Sequence, residues 1–190
     1  MQIYMSYLAF ATLAVLIGGR ALIMHKNGIR AIVFGRTDKS DFMLLPVVLF
    51  FVYSIVSQIV GLPMWKPLVR PFWEVAAPGW IGLALCTAAV AGIAAGLKSF
   101  KDSFRVGIDE NKPDVLITAG LFSVSRNPMY LCFLIFFFGM FLVHRNMLML
   151  FAIILFPIAI HRQILREEKF LESHYGEEYV EYRKRVRRYL

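Results

Sequence analysis

Long apolar blocks alternate with short polar stretches along the chain, and the polar stretches are mostly basic. Five blocks stand out, at about residues 3–24, 42–62, 79–97, 129–143 and 147–160. None alternates polar and apolar at every second residue, as a barrel strand does. In hydrocarbon each backbone amide must be paired within its own segment or in a closed barrel, so these blocks are predicted helices. The first three are long enough to span a bilayer. The last two are short: fifteen residues reach about 22 Å, against a hydrocarbon core of about 30 Å. Only His144, Arg145 and Asn146 separate them, which predicts a tight antiparallel hairpin. The far ends of that hairpin must continue as helix or dip into the membrane. The expected fold is an all-α integral membrane protein with about five transmembrane helices, a C-terminal helical hairpin and a cytosolic amphipathic tail. No Lys or Arg precedes the first block, so it lacks the basic region of a signal peptide and reads as a retained span.

Composition supports the same picture. Hydrophobic residues are 58% of the chain, against roughly 45–50% in soluble domains, and the excess sits in the uncharged blocks. In the third block Ala84, Ala88, Gly92 and Gly96 recur every fourth residue, a pattern expected of a close-packing helix face. Cys86 and Cys132 both fall in apolar blocks and read as buried thiols. No metal-ligand spacing and no disulfide framework is expected.

The net charge is +8. Its placement argues against nucleic acid, because the basic residues flank apolar segments. Of the 21 Lys and Arg, only Lys66, Arg70 and Arg145 fall on one side of the predicted spans, and the other eighteen fall opposite. The richer side is expected to be cytoplasmic. That places the N-terminus outside or in a lumen and the C-terminus inside. The tail, from about residue 162 to 190, carries Phe170, Leu171, Tyr175, Tyr179 and Tyr182 at roughly helical spacing, then a basic end from Arg183 to Arg188. Such an end suits anionic lipid headgroups.

Candidate chemistry gathers where the hairpin enters the bilayer. Arg126-Asn127-Pro128-Met129-Tyr130 opens the fourth block, and Glu167-Glu168 follows the fifth. A helix start explains Asn127 as a cap and Pro128 in the first turn. It leaves Arg126 and Tyr130 unexplained. Ionisable groups at such a depth are costly and are functional candidates by default. Arg126 could take a carboxylate and the glutamates an ammonium. The methionyl end of S-adenosylmethionine is a zwitterion of this kind.

These residues resemble an ordered pattern in the superfamily of isoprenylcysteine carboxyl methyltransferases and phospholipid methyltransferases. The pattern runs Gly-x-Tyr, Arg-His-Pro-x-Tyr, a hydrophobic hairpin, Glu-Glu, then Leu-x-x-x-Phe-Gly-x-x-Tyr-x-x-Tyr. Here it reads Gly120-Leu121-Phe122, Arg126-Asn127-Pro128-Met129-Tyr130, Glu167-Glu168, and Leu171 through Tyr175-Gly176 to Tyr179 and Tyr182. Ser103-Phe104-Arg105-Val106-Gly107 resembles a Ser-Trp-Arg-x-Gly element that precedes the cofactor loop. The resemblance covers about residues 101–186.

The resemblance implies an S-adenosylmethionine-dependent methyltransferase acting on a lipophilic acceptor, prenylcysteine-like or lipid, that enters from the bilayer. It implies a cofactor site of Gly120, Phe122, Arg126, Asn127, Pro128, Tyr130, Glu167 and Glu168, with Arg126 and Glu168 as the catalytic candidates. It also implies two parts of one structural unit. Residues 1–97 hold three helices and the first cytosolic loop, and residues 98–190 hold the cofactor loop, hairpin and tail. Asn127 stands where prenylcysteine enzymes have His, and Phe122 where Tyr is usual, which bears on the acceptor more than on the cofactor. Two alternatives stay open. One is an NADPH-dependent reductase of the steroid and sterol type, whose hairpin is similar. The other is a membrane scaffold without catalysis.

Overall fold

The computed structural model describes residues 1–26, 44–100 and 116–190, except for the side chains of residues 44–48, 50, 99 and 100. The element Ser103–Gly107 and most of the basic residues of the first and third loops lie outside the described residues.

All regular structure among the described residues is helical. In order the helices are α1 (Gln2–Lys26), α2 (Leu44–Val60), α3 (Lys66–Val69), α4 (Ala77–Phe100), α5 (Pro128–His144), α6 (Met147–Tyr175) and α7 (Glu177–Arg185), with a 3-10 turn at Gly120–Ser123 before α5. α1, α4 and α6 are long and apolar enough to cross a membrane. α2 and α5, of 17 residues each, stand at the short end of the spanning range. The chain is an all-α integral membrane protein. Four of the five predicted blocks lie within a helix, and α2 covers Leu44–Val60 of the second, whose first two residues lie outside the described ones. The fifth differs in length: α6 runs without interruption through Pro157 to Tyr175, well past residue 160. Proline breaks one backbone hydrogen bond, yet the apolar neighbours on either side keep the segment helical.

The hairpin turn is built as its spacing requires. Asn146 caps α6 by accepting from the backbone N–H of Met149 at 2.9 Å. Arg145 takes the left-handed conformation, with φ 53°. It is held there from both sides: its carbonyl accepts from the N–H of Phe72 at 2.7 Å, and its Nη1 donates to the Val75 carbonyl at 2.6 Å. At the same end Ser6 meets His144 Nε2 at 3.1 Å, which ties the start of α1 to the end of α5.

α4 and α5 pack closely and antiparallel. A Cβ on Gly82 would lie 2.5 Å from the Gly139 carbonyl oxygen, and one on Gly139 would lie 2.6 Å from that of Gly82. Further along, Gly92 meets Cys132 and Gly96 meets Met129. The packed stripe of α4 is therefore Gly82, Cys86, Ala89, Ile93 and Gly96. Ala84 and Ala88, expected on that face, are exposed on the outside of the bundle. Mid-bundle, four helices meet through aromatic rings. Phe10 of α1 lies 5.5 Å from Phe51 of α2, Phe51 lies 4.5 Å from Phe137 of α5, and Phe137 lies 4.0 Å from Phe156 of α6. The core closes around them, so Phe51, Phe136 and Phe137 fill the interior, while Phe138 faces outward.

Candidate active site

The site forms at the end of the bundle away from the hairpin turn. There the stretch before α5, the last turns of α6, α7 and the C-terminal residues converge. Glu168, 6% exposed, is its centre. Arg126 Nη2 approaches Glu168 Oε1 at 3.2 Å, and Asn127 Nδ2 donates to the same oxygen at 3.2 Å. Arg188 donates to Oε2 through Nε at 3.0 Å and Nη2 at 2.8 Å. A carboxylate taken from water needs such charge-assisted partners to offset its desolvation. The pairing with Glu168 also holds the Arg188 guanidinium more firmly protonated than usual.

Asn127 precedes α5, but its side chain makes no cap hydrogen bond. It turns inward instead, to Glu168 and to the Arg188 carbonyl at 3.2 Å. Pro128 supplies the first turn with a preset φ and no N–H to satisfy. Tyr130, one turn inside α5, donates to Glu167 Oε1. Gln163, one turn earlier on α6, donates to that oxygen at 3.0 Å. Gly120 begins the 3-10 turn with φ +65°, a conformation glycine adopts without strain. The turn buries Phe122, whose carbonyl accepts from the Tyr182 hydroxyl at 2.7 Å. The structure thus brings Arg126, Asn127, Pro128, Tyr130, Glu167 and Glu168 together, with Gly120 and Phe122 attached through α7.

Residues the sequence reading assigned to a lipid-facing tail also belong here. The segment after α7 lies along the residues before α5. The Arg126 N–H donates to the Arg187 carbonyl at 2.9 Å, and the Ser125 hydroxyl to the Arg188 carbonyl at 3.3 Å. Arg188 therefore points to Glu168 and not to headgroups. Tyr189 meets His161 at 2.7 Å. No local signal in the sequence marks this return, because Arg188 looks like any other member of its basic run.

Donors remain over. Arg126, whose side chain is 8% exposed, has Nε and Nη1 buried with no hydrogen-bond partner among the described residues. The hydroxyl of Tyr179, also buried, is in the same position. Burial, with the Glu168 charge adding to it, pushes that hydroxyl up to about 12, so it stays a proton donor at neutral pH. Buried donors are seldom left without acceptors. Two of these three atoms are on Arg126 and one on Tyr179.

The fold and this cluster define a helical membrane protein with a polar site at one end of its bundle. The profile of the phospholipid methyltransferase family matches residues 77–178, which hold α4, α5, α6 and most of the site. The chain belongs to that family. A protein from Schizosaccharomyces pombe, protein-S-isoprenylcysteine O-methyltransferase, is 32% identical over 116 residues, covering 60% of this chain and 48% of that one. The chain thus spans about half the length of the curated relative it matches. The resemblance read from the motifs is borne out.

Proposed function

We propose that the chain transfers a methyl group from S-adenosylmethionine to a lipophilic acceptor that reaches the site from the bilayer. The observation that carries this reading is the set of buried donors on Arg126 and Tyr179 without a hydrogen-bond partner among the described residues, within a family of methyltransferases. They fit the carboxylate of the methionyl group. Bound there, the donor supplies an electrophilic methyl: an acceptor oxygen or nitrogen forms the new bond to carbon while the sulfur–carbon bond breaks and its electron pair stays on sulfur.

The chain's own part is placement. Arg126 binds the carboxylate, and Glu168, with its oxygens already taken by Arg126, Asn127 and Arg188, positions that guanidinium. Glu167, bonded to Tyr130 and Gln163, faces the ammonium. Holding the two reactants at a near-attack distance supplies most of the acceleration such a site can give. A carboxylate acceptor needs no base. An amine must lose a proton, and Glu167, with the Tyr130 hydroxyl beside it, is the group placed to take it. The site end of the bundle faces the cytosol, where the donor is dissolved, and the acceptor's tail stays in hydrocarbon.

Isothermal titration of the detergent-solubilised chain tests this. S-adenosylhomocysteine is expected to bind and NADPH is not. Binding of NADPH, with no heat from the sulfur ligand, would establish the reductase reading instead.

A further inference from the structure

Gln163 is a polar side chain in apolar company. It lies on α6 one turn before Glu167, flanked by Ile160 and Ile164, and all three of these residues are buried, Gln163 to 4% exposure. A buried amide is costly unless both of its ends find partners. Each end of Gln163 has one. Nε2 donates to Glu167 Oε1 at 3.0 Å, and the Gln163 Oε1 accepts from Arg166 Nη2 at 2.6 Å. Arg166 and Glu167 stand three and four residues after Gln163, so one face of the helix carries the whole series of contacts.

The chemistry of the partners fixes which way the amide points. A guanidinium has donors and no acceptor, so only the carbonyl end of Gln163 can face Arg166. An ionised carboxylate has acceptors and no donor, so only the NH2 end can face Glu167. A flipped amide would fail at both ends. Arg166 therefore sets the orientation in which Gln163 serves Glu167. The Tyr130 hydroxyl, from α5, donates to the same carboxylate oxygen. Donors from two helices thus meet on one atom and restrain a side chain that otherwise rotates about three bonds.

Glu168, the next residue, is held in a different manner. Arg126 and Arg188 approach its two oxygens at 3.2 and 2.8 Å, and these cations offset its charge as they fix it. Gln163 and Tyr130 are neutral. They orient Glu167 and add nothing that cancels its charge. An ammonium gains most from a carboxylate that is already in place when it arrives, because less freedom is lost on binding.

We propose that Gln163 is a positioning residue for the methyl donor. With its amide turned by Arg166, it holds the Glu167 carboxylate toward the α-ammonium, and so makes the site select donors that carry that group. This rests on the methyltransferase reading, in which Glu167 faces the ammonium, and adds to it a residue that acts through Glu167.

Isothermal titration of the full chain in detergent tests this with two ligands, S-adenosylhomocysteine and its analogue with hydrogen in place of the amino group. The wild type is expected to favour the amino ligand by about ten- to a hundredfold, the range for a charge-assisted contact. Gln163→Met, which keeps the length and removes the amide, should lower that ratio by about two- to tenfold, the range for a neutral hydrogen bond. A residue that only supports the fold would weaken both ligands alike and leave the ratio where it was. In Glu167→Gln the ratio should fall to near one, and adding Gln163→Met should change it no further. Three results would each overturn the proposal: no preference for the amino ligand in the wild type, an unchanged ratio in Gln163→Met, or a further change on the Glu167→Gln background. If Gln163→Met fails to fold, Arg166→Met decides. It frees the amide to turn, so the ratio should fall in the same direction, and an unchanged ratio would overturn the proposal. Failure of the wild type to bind either sulfur ligand would sink the methyltransferase reading and this assignment with it, whereas the ratio judges Gln163 alone.

Discussion

At the scale of single residues, the contrast between Glu168 and Glu172 sets the boundary of the site. They are one helical turn apart on α6. Glu168 is buried between two arginines, whereas the Glu172 side chain is 43% exposed and pairs with Arg183 in solvent. Exposed pairs contribute little. Arg126→Ala and Glu168→Ala should each weaken S-adenosylhomocysteine binding by roughly ten- to a hundredfold, since each removes or releases a charge-assisted contact. Glu172→Ala should leave it nearly unchanged. A titration series on the three variants checks this, and equal losses at 168 and 172 would move the site by a turn. Arg188→Ala is the sharper comparison. If the basic end only touches headgroups, the substitution should reduce affinity for anionic vesicles and spare the donor site. The structure predicts the reverse, a weaker donor site, because Glu168 loses the partner on Oε2. The motif residues were legible in the sequence because each is an unusual type at a membrane boundary. Arg188 was not, because its contact with Glu168 across 20 residues of chain leaves no local pattern. Asn127 was misleading in a different way. Asn before Pro at a helix start reads as a cap, and only the presence of Glu168 across the gap turns its side chain inward.

At the scale of helices, hydropathy alone located all five apolar segments, because hydrocarbon admits no unpaired backbone and leaves little freedom in how an apolar block folds. It did not locate the ends of α6. The short block requires its far end to continue as helix or to dip into the membrane, and the structure takes the first course: residues 161–175 continue the same helix and carry Glu167 and Glu168 to the site. Facing was harder still. Ala84 and Gly82 both belong to small-residue patterns on α4, and only the pairing with α5 decides which pattern is buried. The consequence can be measured. Gly82→Val forces a side chain against the Gly139 carbonyl and should cost about 1–3 kcal/mol, as overpacking does. Ala84→Val, on the outer face, should change stability far less. Thermal unfolding of the two variants in the same detergent separates them. Equal destabilisation would mean that α4 is turned the other way.

At the scale of the whole molecule, the remaining question is which way the bundle stands in the bilayer. Two unrelated lines of reasoning agree. The first is charge: by the spans read from the sequence, eighteen of the 21 Lys and Arg are expected on the side of the C-terminus, and an excess of such residues favours the cytoplasmic side. The second is chemistry. The site gathers at the end where α5 begins and α6 leaves the apolar zone, and its leftover donors suit a charged, water-soluble ligand. A donor made in the cytosol can reach that end only if it faces the cytosol. At the opposite end Ser6 meets His144 and Asn146 caps the turn. The C-terminus shares the site end, since Arg187 and Arg188 are bonded to Arg126, Asn127 and Glu168. A reporter fused after Leu190 should therefore be active only as a cytosolic reporter, and one fused before Met1 only as an external one. A short flexible linker is needed at the C-terminus, because Tyr189 is bonded to His161 and a rigid fusion would pull the tail from the site. External activity of the C-terminal reporter, with binding of S-adenosylhomocysteine retained, would break the link between charge and orientation and place the donor site on the wrong side of the membrane.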